Sequence, residues 1–127
     1  MDRWRAVSPY VLAALLAAAG ATHLVVPRIY DGLVPTWLPG EVRTWVLASG
    51  LLELAVAGVV LVPRTRRLGG AAAAALFVGL FPGNVQMVLD PGGLPRWLAV
   101  ARLPLQVPLV LWGLQVAGFL SSTGRRR

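Results

Sequence analysis

The sequence predicts an all-α integral membrane protein, an antiparallel four-helix bundle with both ends of the chain in the cytoplasm. Three observations predict it. Of the 127 residues 57% are hydrophobic and 13% charged, with mean hydropathy +0.69, whereas soluble domains carry about 25% charged residues. The apolar residues gather into four stretches, about 7–26, 42–62, 68–89 and 99–120. Each is near the ~20 residues that cross hydrocarbon at ~1.5 Å rise per residue. The basic residues cluster on alternate connections, as the positive-inside rule requires of cytoplasmic segments.

Each element follows in order. Arg3 and Arg5 precede the first span. That span resembles a secretory leader around Ala17, Ala18 and Ala19, but His23, Pro27 and the aromatic-flanked loop beyond it read as parts of the mature fold. The connection 27–40, PRIYDGLVPTWLPG, carries three prolines with Tyr30 and Trp37. Helix breakers and interface-seeking aromatics place it on or in the outer leaflet, over the mouth of the bundle. The second span has one charge near its centre, Glu53, and is followed by Arg64, Arg66 and Arg67 on the inner side. The third opens on GGAAAAA and, like the first with AALLAAAGA, offers small residues for close helix approach. The connection 90–97, DPGGLPRW, returns to the outer side. The fourth span ends near Arg125, Arg126 and Arg127.

The length allows a single domain, residues 1–127, with no room for a separate soluble catalytic unit. All 12 basic residues are Arg, and with 5 acids the net charge is +7. Because the arginines sit at the ends of apolar stretches, membrane topology explains them and nucleic acid does not. The absence of Cys excludes thiol–disulfide chemistry and a protein-held iron–sulfur cluster. One His and one intramembrane carboxylate argue against a transition-metal site.

Four spans each carry a strongly polar group that lipid would penalise: His23, Glu53, Asn84, and the pair Arg102 and Gln106. With alternating directions, His23 lies about one turn from the outer end of the first span and Glu53 roughly 15 Å down the second. Asn84 falls in the outer third of the third, and Gln106 one turn below Arg102 in the fourth. All five therefore belong to the outer half of the bilayer and are expected to share a polar cavity. Each also has a plainer role: Glu53 as ion-pair partner of Arg102, Arg102 snorkelling to the interface, His23 and Asn84 as interhelical hydrogen bonds. Gln86 and Gln115 are assigned to packing. Pro82-Gly83 beside Asn84, and Pro104 and Pro108 around Gln106, predict kinks that open the bundle there.

These residues stand in GATHLVVPRIYDGLVPTWLP, SGLLELAVAGVVLVPRTRRLG, FPGNVQM and RLPLQVPLVLW. The ordered set G-x-x-H, S-G-x-x-E, P-x-N and R-x-P-x-Q resembles the DoxX-like family of small four-span bacterial membrane proteins, over about residues 14–112. The resemblance implies a multi-pass inner-membrane protein with His23, Glu53, Asn84, Arg102 and Gln106 at the family's polar positions. It also implies a redox association, since some members are subunits of a thiosulfate:quinone oxidoreductase or partners of redox-stress enzymes. The redox-associated branch often carries cysteines, and this chain has none.

The expectation is a binding subunit that takes a small amphipathic ligand, quinone- or lipid-like, with membrane lipids and a redox-enzyme protein as partners and a homo-oligomer left open. Two alternatives stand beside it. In one the polar cluster only locks the bundle of a structural or assembly subunit. In the other His23 and Glu53 form the acid–base pair of an intramembrane enzyme.

Overall fold

A computed structural model describes residues 2–90 and 95–120. Residues 91–94 of the 90–97 connection and the terminal Arg125, Arg126 and Arg127 lie outside the described residues. All regular structure among the described residues is helical: α1 (Asp2–Val25), the single turn α2 (Arg28–Asp31), α3 (Val42–Leu61), α4 (Arg66–Gly79), α5 (Phe81–Leu89) and α6 (Arg96–Ala117). Four helical stretches, Arg3–Val25, Val42–Leu61, Arg66–Leu89 (α4 followed by α5) and Arg96–Ala117, are long and apolar enough to cross a membrane.

The helix ends follow from local chemistry. α3 stops because Pro63 forces the residue before it, Val62, into an extended conformation. α6 begins and ends three residues earlier than the apolar pattern predicts. Pro95 starts it, and Gly118 ends it in the left-handed region at φ 88°. Gly118 N–H donates to Gln115 O and Phe119 N–H to Leu114 O, the Schellman arrangement that satisfies the last carbonyls. Arginines finish the same task. Arg66 donates to Val60 O at 3.1 Å and Leu61 O at 3.2 Å, and Arg67 Nε to Ala117 O at 3.1 Å. The basic second connection therefore caps the C-termini of α3 and α6, where positive charge is favoured.

The third apolar stretch is not one continuous helix. It divides at Leu80 into α4 and α5, because Pro82 lacks an N–H and its ring obstructs the carbonyl four residues back. α6 runs unbroken through Pro104 and Pro108. The helix thus parts beside Asn84 and continues past Gln106.

Small residues set the helix spacing, as the Ala- and Gly-rich runs predict. A methyl group on Gly20 would come 2.7 Å from Gly50 O, and one on Gly113 2.7 Å from Ala74 N. α1 packs on α3, and α4 on α3 and α6, around Leu12, Leu16, Val56, Val60, Ala73 and Phe77. Only 17–39% of the apolar window of each long helix is buried within the protein. Leu51, Leu52, Leu105 and Val107 are among the large apolar side chains more than half exposed. A water-soluble monomer rarely presents so much apolar surface.

Candidate functional site

The five polar residues resolve into two pairs and one outlying arginine. The first pair joins α1 to α3. His23 Nδ1 lies 3.2 Å from Glu53 Oε2 and 2.6 Å from Ala19 O. Ala19 O is the shorter contact and, as a carbonyl oxygen, can only accept. Nδ1–H therefore donates to Ala19 O, while Glu53 Oε2, although within ion-pair distance, has no hydrogen-bond partner in the protein. Glu53 is only 3% exposed.

Glycine makes this approach possible. Gly20 and Gly50 each stand three residues before the polar residue of their helix, on the same face. A methyl group on Gly50 would sit 2.7 Å from His23 Cβ and 2.9 Å from Gly20 O. The G-x-x-H and G-x-x-E spacings are thus a packing device: two bare glycines let the backbones close and bring imidazole against carboxylate.

The contact also fixes the relative height of the helices. His23 is two residues from the end of α1, and Glu53 is eleven from the start of α3. With the two side by side, α3 extends about 13 Å further than α1 at that end of the bundle. The segment 26–41 fills this step. Tyr30 of α2 stacks on His23 with ring centroids 3.6 Å apart and 13° between planes. Asp31 accepts both Arg43 nitrogens, from Nη2 at 2.8 Å and from Nε at 3.2 Å, and Trp45 Nε1–H donates to Pro39 O at 2.7 Å. The Arg43 hydrogen bond, aided by the charges of Arg43 and Arg28, holds the Asp31 carboxyl below its usual range. Further along, Pro35 is buried, and a methyl group on Gly83 of α5 would meet Leu33 O at 3.1 Å. The proline-rich connection therefore reaches from α1 across to α5, beside Asn84.

The second pair joins α5 to α6. Asn84 Nδ2 donates to Gln106 Oε1 at 2.7 Å. Gln106 is 7% exposed, and its Nε2 has no partner in the protein. The outlier is Arg102. It is exposed, its Nη1 contacts Met87 Sδ at 3.3 Å, and Glu53 pairs with His23 in its place. The expected Glu53–Arg102 ion pair is not formed: Glu53 stands beside His23, and Arg102 reaches Met87 of the neighbouring α5.

Two cavities, of about 460 and 150 Å³, lie where α1 begins and α6 ends. None of His23, Glu53, Asn84, Arg102 or Gln106 lines either one. Gln115, assigned from sequence to packing, lines both. Sequence reasoning also passed over Tyr30 and Met87. Met87 stands three residues after Asn84, so helical spacing places it on that face. No sequence signal places Tyr30 over His23, because a turn in a proline-rich connection has no periodicity to read. Among the described residues no group of His and carboxylates could hold a metal.

Comparison with curated proteins and with solved structures yields no match. The region matched by a family model contains all five polar residues. The chain belongs to the family described as Domain of unknown function (DUF8561), whose model matches residues 12–117.

Proposed function

We propose that this chain is a DoxX-like inner-membrane protein of bacteria, an antiparallel four-span bundle with both termini cytoplasmic. It serves as a binding subunit for a small amphipathic ligand of the quinone or lipid class within a redox-linked membrane assembly. The ordered polar motifs support the kinship, and the alternation of Arg-rich connections supports the orientation.

One observation carries the ligand reading. Glu53 Oε2 and Gln106 Nε2 are buried and unmatched, one an acceptor and one a donor. Each such group costs about 1–3 kcal/mol if left without a hydrogen bond. A bundle locked only for stability has no use for two of them. A ligand that both donates and accepts would satisfy the two, and within the quinone class the reduced quinol does so, since each hydroxyl can donate to Glu53 and accept from Gln106. His23 and Asn84 hold the two groups in place, and Tyr30 closes the His23 side.

The test is native mass spectrometry with solvent extraction of the protein purified in mild detergent. Wild type is expected to carry a quinone or another specific small amphiphile that Glu53→Gln and Gln106→Leu lose while remaining inserted and folded. The same extract from all three proteins would overturn the reading and favour a purely structural cluster.

A further inference from the structure

The geometry points to a second site, an amphipathic cleft between the start of α1 and the end of α6 that seats an anionic glycerophospholipid. The larger cavity there, about 460 Å³, runs between Trp4, Leu111 and Trp112. The smaller, about 150 Å³, is bounded by Arg5, Ser8 and Gly118. Gln115 and Leu120 line both, so the apolar groove and the polar cavity adjoin. Acyl chain and headgroup require this division of surface.

The walls are built in. Trp112 Nε1–H donates to the buried Ser8 hydroxyl at 2.6 Å, which fixes the indole of α6 against α1. The Trp4 ring stands 5.7 Å from it, tilted by 36°. Trp4, Leu111 and Leu120 are each more than two-fifths exposed, so the groove faces outward from the bundle, where a transmembrane chain meets lipid. The Arg67 guanidinium lies against Gly118, within 3.1 Å of where a methyl group on that glycine would stand. Arg5 thus lines the smaller cavity, and Arg67, whose Nε donates to Ala117 O, stands beside Gly118 at its edge.

Charge selects the occupant. The sequence places Arg3, Arg5, Arg64, Arg66 and Arg67 at this end against one acid, Asp2. Guanidinium matches phosphate oxygens in a planar, two-point fashion. Anionic lipids concentrate in the cytoplasmic leaflet, and basic pockets between membrane helices on that side take their headgroups. The site rests on the proposed orientation and is independent of the quinone reading, since it shares no residue with the Glu53 and Gln106 cluster.

Native mass spectrometry in the presence of equal dioleoylphosphatidylglycerol and dioleoylphosphatidylcholine tests it. Wild type is expected to retain the anionic lipid at least about fivefold over the zwitterionic one, the effect of a single arginine on a lipid whose phosphate is not neutralised by choline. In Arg5→Gln that ratio falls towards parity. Leu111→Trp, at an exposed position, fills the groove and lowers retention of the anionic lipid while the folded fraction is unchanged. Equal retention of both lipids by wild type, a ratio unaltered in Arg5→Gln, or full retention in Leu111→Trp would each overturn the site. Orientation is read separately by cysteine labelling at position 64, so a lipid-indifferent protein with a cytoplasmic second connection rejects the cleft alone.

Discussion

At the scale of single residues, two glycines matter as much as the polar groups they accompany. Gly20 and Gly50 allow the backbones of α1 and α3 to meet, and the carbonyl of each glycine lies where a Cβ on the other would point. Gly50→Ala is therefore expected to cost about 1–3 kcal/mol through overpacking. It should also push His23 away from Glu53. Thermal unfolding in detergent reads the first effect; ligand retention reads the second, which should fall as far as in Glu53→Gln. An unchanged unfolding temperature would show that the helices do not approach at this pair. The polar residue types were legible in the sequence because lipid makes each one anomalous. Their partners were not. Length alone did not tell that Arg102 would meet Met87, or that Glu53 would choose His23, because pairing depends on helical rotation and on relative height.

At the scale of elements, the step between α1 and α3 organises this end of the bundle. α1 ends soon after His23, α3 rises well beyond Glu53, and α2 with its proline-rich continuation occupies the difference. The Asp31–Arg43 pair holds that segment to α3. Asp31→Asn is expected to leave the long helices intact and to speed amide hydrogen exchange across 27–40. Exchange confined to its wild-type rate would show that packing alone retains the segment. The pH dependence has a defined sign. Because Asp31 is held below its ordinary value of 3.8, its contribution is complete above that value and is lost as pH falls through the lowered one. The Arg43 Nε–H resonance should therefore stay constant at neutral pH and titrate with a midpoint below 3.8. The four apolar stretches were readable to within a few residues, since Pro63, Pro95 and Gly118 punctuate them. The break at Leu80 was signalled by Pro82, yet the same residue type left α6 continuous. In membrane helices a proline marks where a carbonyl loses its partner, and whether the helix then parts depends on its neighbours.

At the scale of the whole molecule, the apolar exterior and the alternating Arg-rich connections both support the proposed arrangement, a lipid-facing bundle with both termini cytoplasmic. A chain without cysteine permits single-cysteine labelling with no background. Thr36→Cys, in the 26–41 segment, is expected to react with an impermeant maleimide from outside intact cells. Arg64→Cys should react only after the cytoplasm is opened. The reverse pattern would invert the orientation and move the aromatic cleft of α1 and α6 to the outer face. Buried polar groups in two pairs, each with one unmatched atom, are then the part of the molecule that stability alone does not explain.

The most direct test of that claim is equilibrium binding of a short-chain ubiquinol analogue, kept reduced, to the protein in nanodiscs, followed by tryptophan quenching. The account predicts saturable binding to wild type and to Arg5→Gln, and a Kd about tenfold weaker in Glu53→Gln, with unfolding temperature unchanged. Tenfold corresponds to about 1.4 kcal/mol, within the range of one buried hydrogen bond. An absence of saturable binding, or one Kd shared by all three proteins, would contradict it and leave the polar cluster as a structural lock.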